Sequence, residues 1–426
     1  MQKIVIISYF FEPCNLTASN RALGWAKYLN RYGFYPVIIT RSWKNEIKEP
    51  KDVLKDSGEK VEIVKKENYE VHYLPYKGNL RDRIHQKKKN LFISKFLTFI
   101  GLIIQNYTIF FLPHKNIYYY TFSFLKQNLD VKKIIITAAP FNLFHFGYKL
   151  QKKLNIKWVA DYRDDWTTSD LKENYNSKIS FFLKLFDRKS EKKWVSTASL
   201  ITSISEYYQS KISHFVGVEG VEIINGFFEI NNNYSFKKQD STVFQITYSG
   251  SLYNTQNIEL FLEALLEVIN ENVDIKLNVN FPGLSFSKKQ EKRVLDYIKT
   301  NEHFFNITER IPKMAVIKMQ KESDILLMVG HDNIKGIPSS KIYEYISLKK
   351  PILLVSSDED ILEKTVLKSG LGLIANNKDQ IKKSLVDLYD NFIFGKPLIK
   401  KVEDSKIVVF SRNKSTEKLA SYLDKI

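Results

Sequence analysis

An α/β fold built on parallel sheets and divided between two domains is the class this sequence predicts. Three observations carry that prediction. Short β-branched and aliphatic runs alternate with amphipathic stretches, the pattern of strands joined by crossover helices. The series is interrupted by a polar segment, NGFFEINNNYSFKKQD at 225–240, and then begins again. With 426 residues, 44% of them hydrophobic, the chain is longer than one core ordinarily organises.

The amino terminus, MQKIVIISYFF, enters a β-branched run directly and then meets Glu12 and Pro13. It reads as a first strand, because a signal peptide would show a longer apolar stretch and a small-residue cleavage site. Further strands are expected at 36–40, 133–137, 157–160 and 199–203, with the first at 4–8 and amphipathic helices at 20–32 and 144–153. After the polar segment, strands are expected near 244–249, 276–280, 325–329, 352–355 and 373–374. The domains follow from this order. Residues 1–224 form the first, 225–240 an exposed Asn- and Lys-rich linker, 241–405 the second, and 406–426 a C-terminal helix that can return to the first domain. Open parallel sheets bind ligands beyond the carboxyl ends of their strands, so two such domains facing across a cleft would line it with both sets of loops.

A formal charge of +18 and a pI near 9.4 favour an anionic partner: nucleic acid, an anionic membrane or phosphorylated small molecules. The basic residues are dispersed and no nucleic-acid module is evident, which argues against nucleic acid. One cysteine, Cys14, excludes an internal disulfide framework and a cysteine zinc cluster. A reducing, cytoplasmic location is expected, and Asn-X-Ser/Thr triplets such as that at Asn106 then carry no weight.

The basic run RDRIHQKKK (81–89) leads into LFISKFLTFIGLIIQNYTIFFLP (91–113), an apolar stretch interrupted by Ser94, Lys95, Gln105 and Asn106. Its uninterrupted apolar part is too short to span a bilayer. Two readings stay open: an interfacial helix on an anionic membrane, favoured by the apolar content, or an insertion packed on the first domain.

The second domain holds the most chemically suggestive stretch, PSSKIYEYISLKKPILLV (338–355). Pro338 suits a first helical turn, Ser339 or Ser340 can cap its amides, and the helix is expected to run to about Lys349. Ser340, Lys341 and Glu344 share one face near its start. Free amides, the helix dipole and the Lys341 ammonium attract phosphate there, and Glu344 can accept hydrogen bonds from a diol. The plainer alternative is a capped surface helix with a weak Lys–Glu pair. In YSGSLYNTQNIELFLEAL (248–265) a strand ends in Ser249, Gly250 and Ser251 before a helix near Asn257, where Gly250 permits close backbone approach.

These stretches, with ISYFFEPCNLTASNRALGWAKYLNRYGFYPVIIT and ITAAPFNLFHFGYKLQKKLNIKWVADYRDDWT, resemble, in order and over nearly the whole chain, the family-4-type glycosyltransferases of GT-B fold. The central stretch is similar to a subgroup that assembles bacterial surface polysaccharides (capsule, O-antigen, exopolysaccharide). The resemblance implies a retaining, metal-independent hexosyltransferase with two Rossmann-like domains facing across a cleft. It implies a nucleotide-diphosphate sugar as donor on the second domain and a lipid-linked saccharide as acceptor on the first. No cofactor is implied, and the enzyme would sit peripherally on the inner face of the cell membrane.

Residue by residue, Glu344 matches the ribose-binding second acid of the family's paired-glutamate motif, seven residues before Pro351. The first acid is missing: Gly336 stands in its place, leaving Asp332 as the alternative carboxylate. The basic pair usual after the second domain's first strand is replaced around Ser251 and Asn254, so Lys341 with the amides of Ser339 and Ser340 would carry more of the diphosphate charge. His145 resembles the histidine near the transferred sugar, with packing in a Phe-rich core as the other reading. Asn142 ends the preceding loop on the acceptor side.

Within Asp161-Tyr162-Arg163-Asp164-Asp165-Trp166, either Arg163 organises Asp161 and Asp164 into an ion-pair knot or Asp164 polarises the acceptor hydroxyl. Asn20 and Arg21 are candidates for acceptor or diphosphate contact, with Arg21 as a solvated helix residue the alternative. A sugar-nucleotide epimerase of the same fold is the main rival. It needs acid and base groups flanking the sugar ring and no membrane segment.

Overall fold

The computed structural model describes residues 1–43, 47, 50–79, 82–83, 91–169, 178–229, 242–332, 334–337 and 339–426. Most of the basic run at 81–89, most of the 225–240 linker and Pro338 lie outside the described residues. The chain divides into two compact units, one of Met1–Asn225 with Arg412–Ile426 and one of Gly226–Ser411.

The first unit carries a sheet in the order β3-β4-β2-β1-β5-β6-β7-β8. Its strands are β1 Gln2–Ser8, β2 Phe34–Arg41, β3 Glu62–Lys65, β4 Glu70–Leu74, β5 Lys133–Ala138, β6 Lys157–Tyr162, β7 Leu200–Ser203 and β8 Gly220–Glu222. All pair in parallel except β3 with β4. The central strands are buried on both faces, which is why they read as continuous apolar runs. Helix Leu143–Leu154 lies close against β6: a Cβ on Gly147 would come within 2.6 Å of the Trp158 ring, so only glycine admits this approach. The C-terminal helix Arg412–Leu423 packs against helix Ser19–Tyr28 and places Leu419 and Leu423 in the same core as Trp25.

The second unit carries a wholly parallel sheet in the order β11-β10-β9-β12-β13-β14. Here β9 is Phe244–Thr247, β10 Leu277–Pro282, β11 Phe305–Thr308, β12 Ile325–Val329, β13 Ile352–Val355 and β14 Gly372–Ala375. Helix Ile258–Glu271 starts at Asn257, whose side chain accepts from the Leu260 amide. Each sheet has one switch point in its strand order, between β1 and β5 and between β9 and β12, the position at which open parallel sheets bind ligands.

Helix Leu91–Gln105 packs against helix Lys178–Val195, and both belong to the first unit. Among the described residues no helix is long and apolar enough to cross a membrane.

Candidate functional site

In the second unit the loops after β9 and β12 meet the helix Ser340–Ser347. That helix buries Ile342, Tyr343, Tyr345 and Ile346, and the Tyr345 hydroxyl accepts the Ser249 amide at 3.0 Å. One pinned phenol thus fixes the helix to the end of β9. The helix ends two residues before the expected Lys349, which takes a left-handed turn (φ 54°) into β13. Ser339 occupies the N-cap position in extended conformation but makes no side-chain cap bond, unlike Asn257. The amino end of the helix therefore keeps the open character that suits an anion.

Lys341 projects from the first turn toward β9. Its Nζ donates to the Tyr248 hydroxyl at 2.7 Å and the Ser251 carbonyl at 3.2 Å, and lies 4.0 Å from the Tyr248 ring centroid. Among the described residues no carboxylate forms an ion pair with it. Burial pushes this ammonium down to about 7, with the charge of Glu344 opposing the shift. Gly250, at φ 85°, is where the turn passes beneath it: a Cβ there would stand 3.3 Å from Lys341 Cε. His331, after β12, joins the same cluster through a 2.7 Å hydrogen bond to Thr255, and burial followed by the Lys341 charge holds its imidazole below the usual range. Neither His331 nor Tyr248 was singled out from the sequence, since each gains meaning only beside Lys341.

Glu344, one turn on, is partly exposed and 3.6 Å from Lys313. Gly336 is buried in a left-handed conformation (φ 77°), and its amide donates to Asp360 at 3.0 Å. A carboxylate thus does reach Gly336, but it comes from the loop after β13. Asp332 is exposed, with its amide bonded to the Thr255 carbonyl at 2.8 Å.

On the first unit the structure rearranges the expected pairings. Arg21 is buried rather than solvated, and it, not Arg163, is the partner of Asp161. Its Nε and Nη2 reach the carboxylate at 2.7–3.0 Å, Nη1 donates to the Ile223 carbonyl at 2.7 Å, and Thr202 donates to Asp161 at 2.6 Å. The reason is position: Asp161 precedes the end of β6 and points into the layer beneath helix Ser19–Tyr28, while Arg163 has already left the strand. Among the described residues Arg163 forms its ion pair with its neighbour Asp164, at 2.8 Å, and Asp164 is 58% exposed.

Asn20 is half-buried at the start of its helix. Asn142 shares a 2.9 Å hydrogen bond with His114. His145 is buried, its ring stacked on Trp194 at 4.5 Å between centroids, and Trp166 stacks on Phe141 at 4.9 Å. Beneath them Glu191 accepts from Tyr162 at 2.9 Å and from Thr167, and burial pushes its carboxyl up to about 7. Among the described residues no group of three or more His, Cys, Asp or Glu side chains could hold a metal ion.

No protein-family model matches the chain, and no curated protein does. Solved structures do. A sucrose-phosphate synthase from Thermosynechococcus elongatus aligns over 100% of this chain and 99% of its own, at 13% identity and a TM-score of 0.63. A trehalose-6-phosphate structure from E. coli bound with UDP-2-fluoro glucose aligns over 100% and 99%, at 12% identity and a TM-score of 0.61. MnaA of S. aureus with UDP aligns over 100% and 98%, at 13% identity and a TM-score of 0.50. Likeness at such low identity speaks to architecture, and the architecture of two consecutive parallel-sheet Rossmann-like domains is the GT-B fold.

Proposed function

We propose that the protein is a retaining glycosyltransferase that moves a sugar from a nucleotide-diphosphate donor to a lipid-linked saccharide in surface-polysaccharide synthesis. The observation that carries the donor half is Lys341: a cation at an open helix start, held by a phenol and a carbonyl, with a glycine turn beneath it. Neutral dipoles position the charge without neutralising it, so a diphosphate supplies the missing counter-ion. Glu344 would take the ribose hydroxyls, and Gly250, Ser251, Ser339 and Ser340 would line the phosphates. Similar structures were solved with UDP-2-fluoro glucose and with UDP, which makes UDP-sugars the first donors to test.

In the proposed reaction the acceptor oxygen bonds to the anomeric carbon on the face the diphosphate leaves. The bond to the phosphate oxygen breaks, and that oxygen takes the acceptor proton. Lys341 stabilises the charge on the departing diphosphate. On the first unit, Asp164 with Arg163 is the pair proposed for acceptor contact, with Asn20 at the start of helix Ser19–Tyr28 and Asn142 at the N-cap of helix Leu143–Leu154 as further candidates. Arg21 with Asp161, and His145 on Trp194, support that edge from within.

Purified protein is incubated with UDP-, GDP- and dTDP-sugars and followed by thermal shift, then by sugar transfer to a lipid-linked acceptor with and without EDTA. One nucleotide class should stabilise the wild type, Lys341→Met should sharply reduce the shift at the same nucleotide concentration, and transfer should persist in EDTA. No stabilisation by any nucleotide would refute the donor site.

A further inference from the structure

A second cationic site lies wholly within the first unit. A pocket of about 870 Å³ opens between helices Lys178–Val195 and Glu206–Val216, lined by Lys184, Arg188, Lys189, Lys192, Lys211 and His214. The spacing of Lys184, Arg188 and Lys192 puts three cations in one column, an arrangement that like charges disfavour unless something compensates.

Acids on the same helix do not supply it. Several exposed helical lysines elsewhere are matched with acids one turn away, as in Lys288 with Glu291, Lys292 with Asp296 and Lys414 with Glu417. Here the two acids of the helix are turned inward. Glu191 is fully buried beneath Tyr162 and Thr167, and burial pushes its carboxyl to about 7 and that of Asp187 to about 6. Among the described residues Arg188, Lys189 and Lys192 have no carboxylate partner. The Arg188 guanidinium is instead held 4.0 Å over the Phe215 ring, which orients the charge while leaving it unneutralised. Lys211 is steadied 3.8 Å from Asp165.

The same helix face changes character toward its amino end. Phe181 is 58% and Leu185 49% exposed, and Leu185 also lines the pocket. Phe181, Leu185, Arg188 and Lys192 fall on one stripe at three- and four-residue spacings, so an apolar patch runs directly into a cationic one.

We propose that this pocket binds a diphosphate carrying a hydrocarbon chain, with the phosphates on Arg188, Lys189 and Lys192 and the first carbons of the chain on Leu185 and Phe181. Three unneutralised cations call for more anionic charge than one phosphodiester supplies, and the adjoining apolar stripe has no use for a free phosphate. The inference rests on the proposed function only in identifying this ligand as the carrier of the acceptor. The binding itself is a property of the first unit.

Farnesyl diphosphate and inorganic diphosphate serve as probes, with full-length protein and equilibrium binding as the readout. Farnesyl diphosphate should bind at least ten-fold more tightly than inorganic diphosphate. Arg188→Ser with Lys192→Ser should weaken it ten-fold or more, while Leu185→Ser should weaken it several-fold and leave inorganic diphosphate unaffected. The stabilisation by UDP should be unchanged in these variants, whose altered side chains are all exposed. Equal affinity for the two probes, or full affinity in the double variant, overturns the proposal. So does binding to phosphatidylglycerol vesicles that the double variant loses but farnesyl diphosphate does not compete for, since that marks a membrane-facing surface. Intact farnesyl diphosphate binding without any nucleotide stabilisation would sink the donor site and sustain this one.

Discussion

Arg21 and Lys341 are both cations set among the strand ends of a parallel sheet, and their partners are opposite in kind. Arg21 meets the Asp161 carboxylate with two nitrogens, both side chains buried, and spends a third nitrogen on the Ile223 carbonyl. Lys341 meets a phenol and a carbonyl and no described carboxylate. A cation whose counter-ion is built in holds a fold together. One whose partners are neutral is stable enough to be held and still attractive to an anion.

The comparison breaks first at Arg21. Arg21→Ala leaves the Asp161 carboxylate buried with Thr202 as its one side-chain partner among the described residues, and should cost about 3–5 kcal/mol in urea unfolding. Replacing both partners, Arg21→Leu with Asp161→Leu, should recover most of that loss, because no uncompensated charge remains. If the single variant stays within 1 kcal/mol of wild type, by roughly the scatter of ordinary surface changes, the pair is not structural.

Lys341 should behave in the reverse sense. Lys341→Met should lower nucleotide affinity by about ten- to a hundred-fold, the range of one charged hydrogen bond, with no loss of fold stability. The pH dependence follows from the direction of the shift. A lysine whose ammonium is pushed down to about 7 in the fold, below its unfolded value, burdens the folded state at low pH and relieves it as pH rises from 7 toward that value. Lys341→Met should therefore be at least as stable as wild type at pH 6, with that advantage shrinking by pH 9. Nucleotide affinity of the wild type should fall as pH rises above 7, whereas Lys341→Arg, charged throughout, should show a flatter profile. A wild-type affinity independent of pH between 6 and 9 would contradict the assignment.

Why one of these cations was legible in the sequence and the other was not follows from distance along the chain. Lys341 lies beside Ser339 and Ser340, with Glu344 one turn on, and Gly250 marks its approach, so local pattern and helix chemistry suffice. Arg21 and Asp161 are 140 positions apart, and Arg163, two residues from Asp161, was the nearer guess for its partner. The cationic pocket was hidden for the same reason: its lysines read as dispersed charge until two helices are set side by side. The α/β class and most central strands were plain, because strands buried on both faces such as ILLMV at β12 are continuous apolar runs. The strands that escaped notice, β3, β4, β8 and β11, lie at or near sheet edges, and three of the four are short and mixed in polarity.

A smaller effect is expected at Gly250. Its φ of 85° and the Lys341 side chain, 3.3 Å from where a Cβ would stand, make alanine unfavourable on two counts. Gly250→Ala should cost about 1–2 kcal/mol of stability and weaken nucleotide binding by displacing the ammonium. Unchanged binding in a folded Gly250→Ala protein would separate the turn from the phosphate site.

The smallest effect on the fold should come from Glu344. Its pair with Lys313 is 3.6 Å long and both side chains are well exposed, so Glu344→Gln should shift stability by less than about 1 kcal/mol. Its effect on binding should be selective, because a carboxylate grips a diol through two acceptors and an amide offers one. UDP should bind several-fold more weakly to Glu344→Gln than to wild type, while inorganic diphosphate, which has no ribose, should bind both equally. Equal loss of both ligands would mean that Glu344 acts on Lys341 through its charge. No loss of either would leave the helix start as a phosphate site alone, with the ribose held elsewhere.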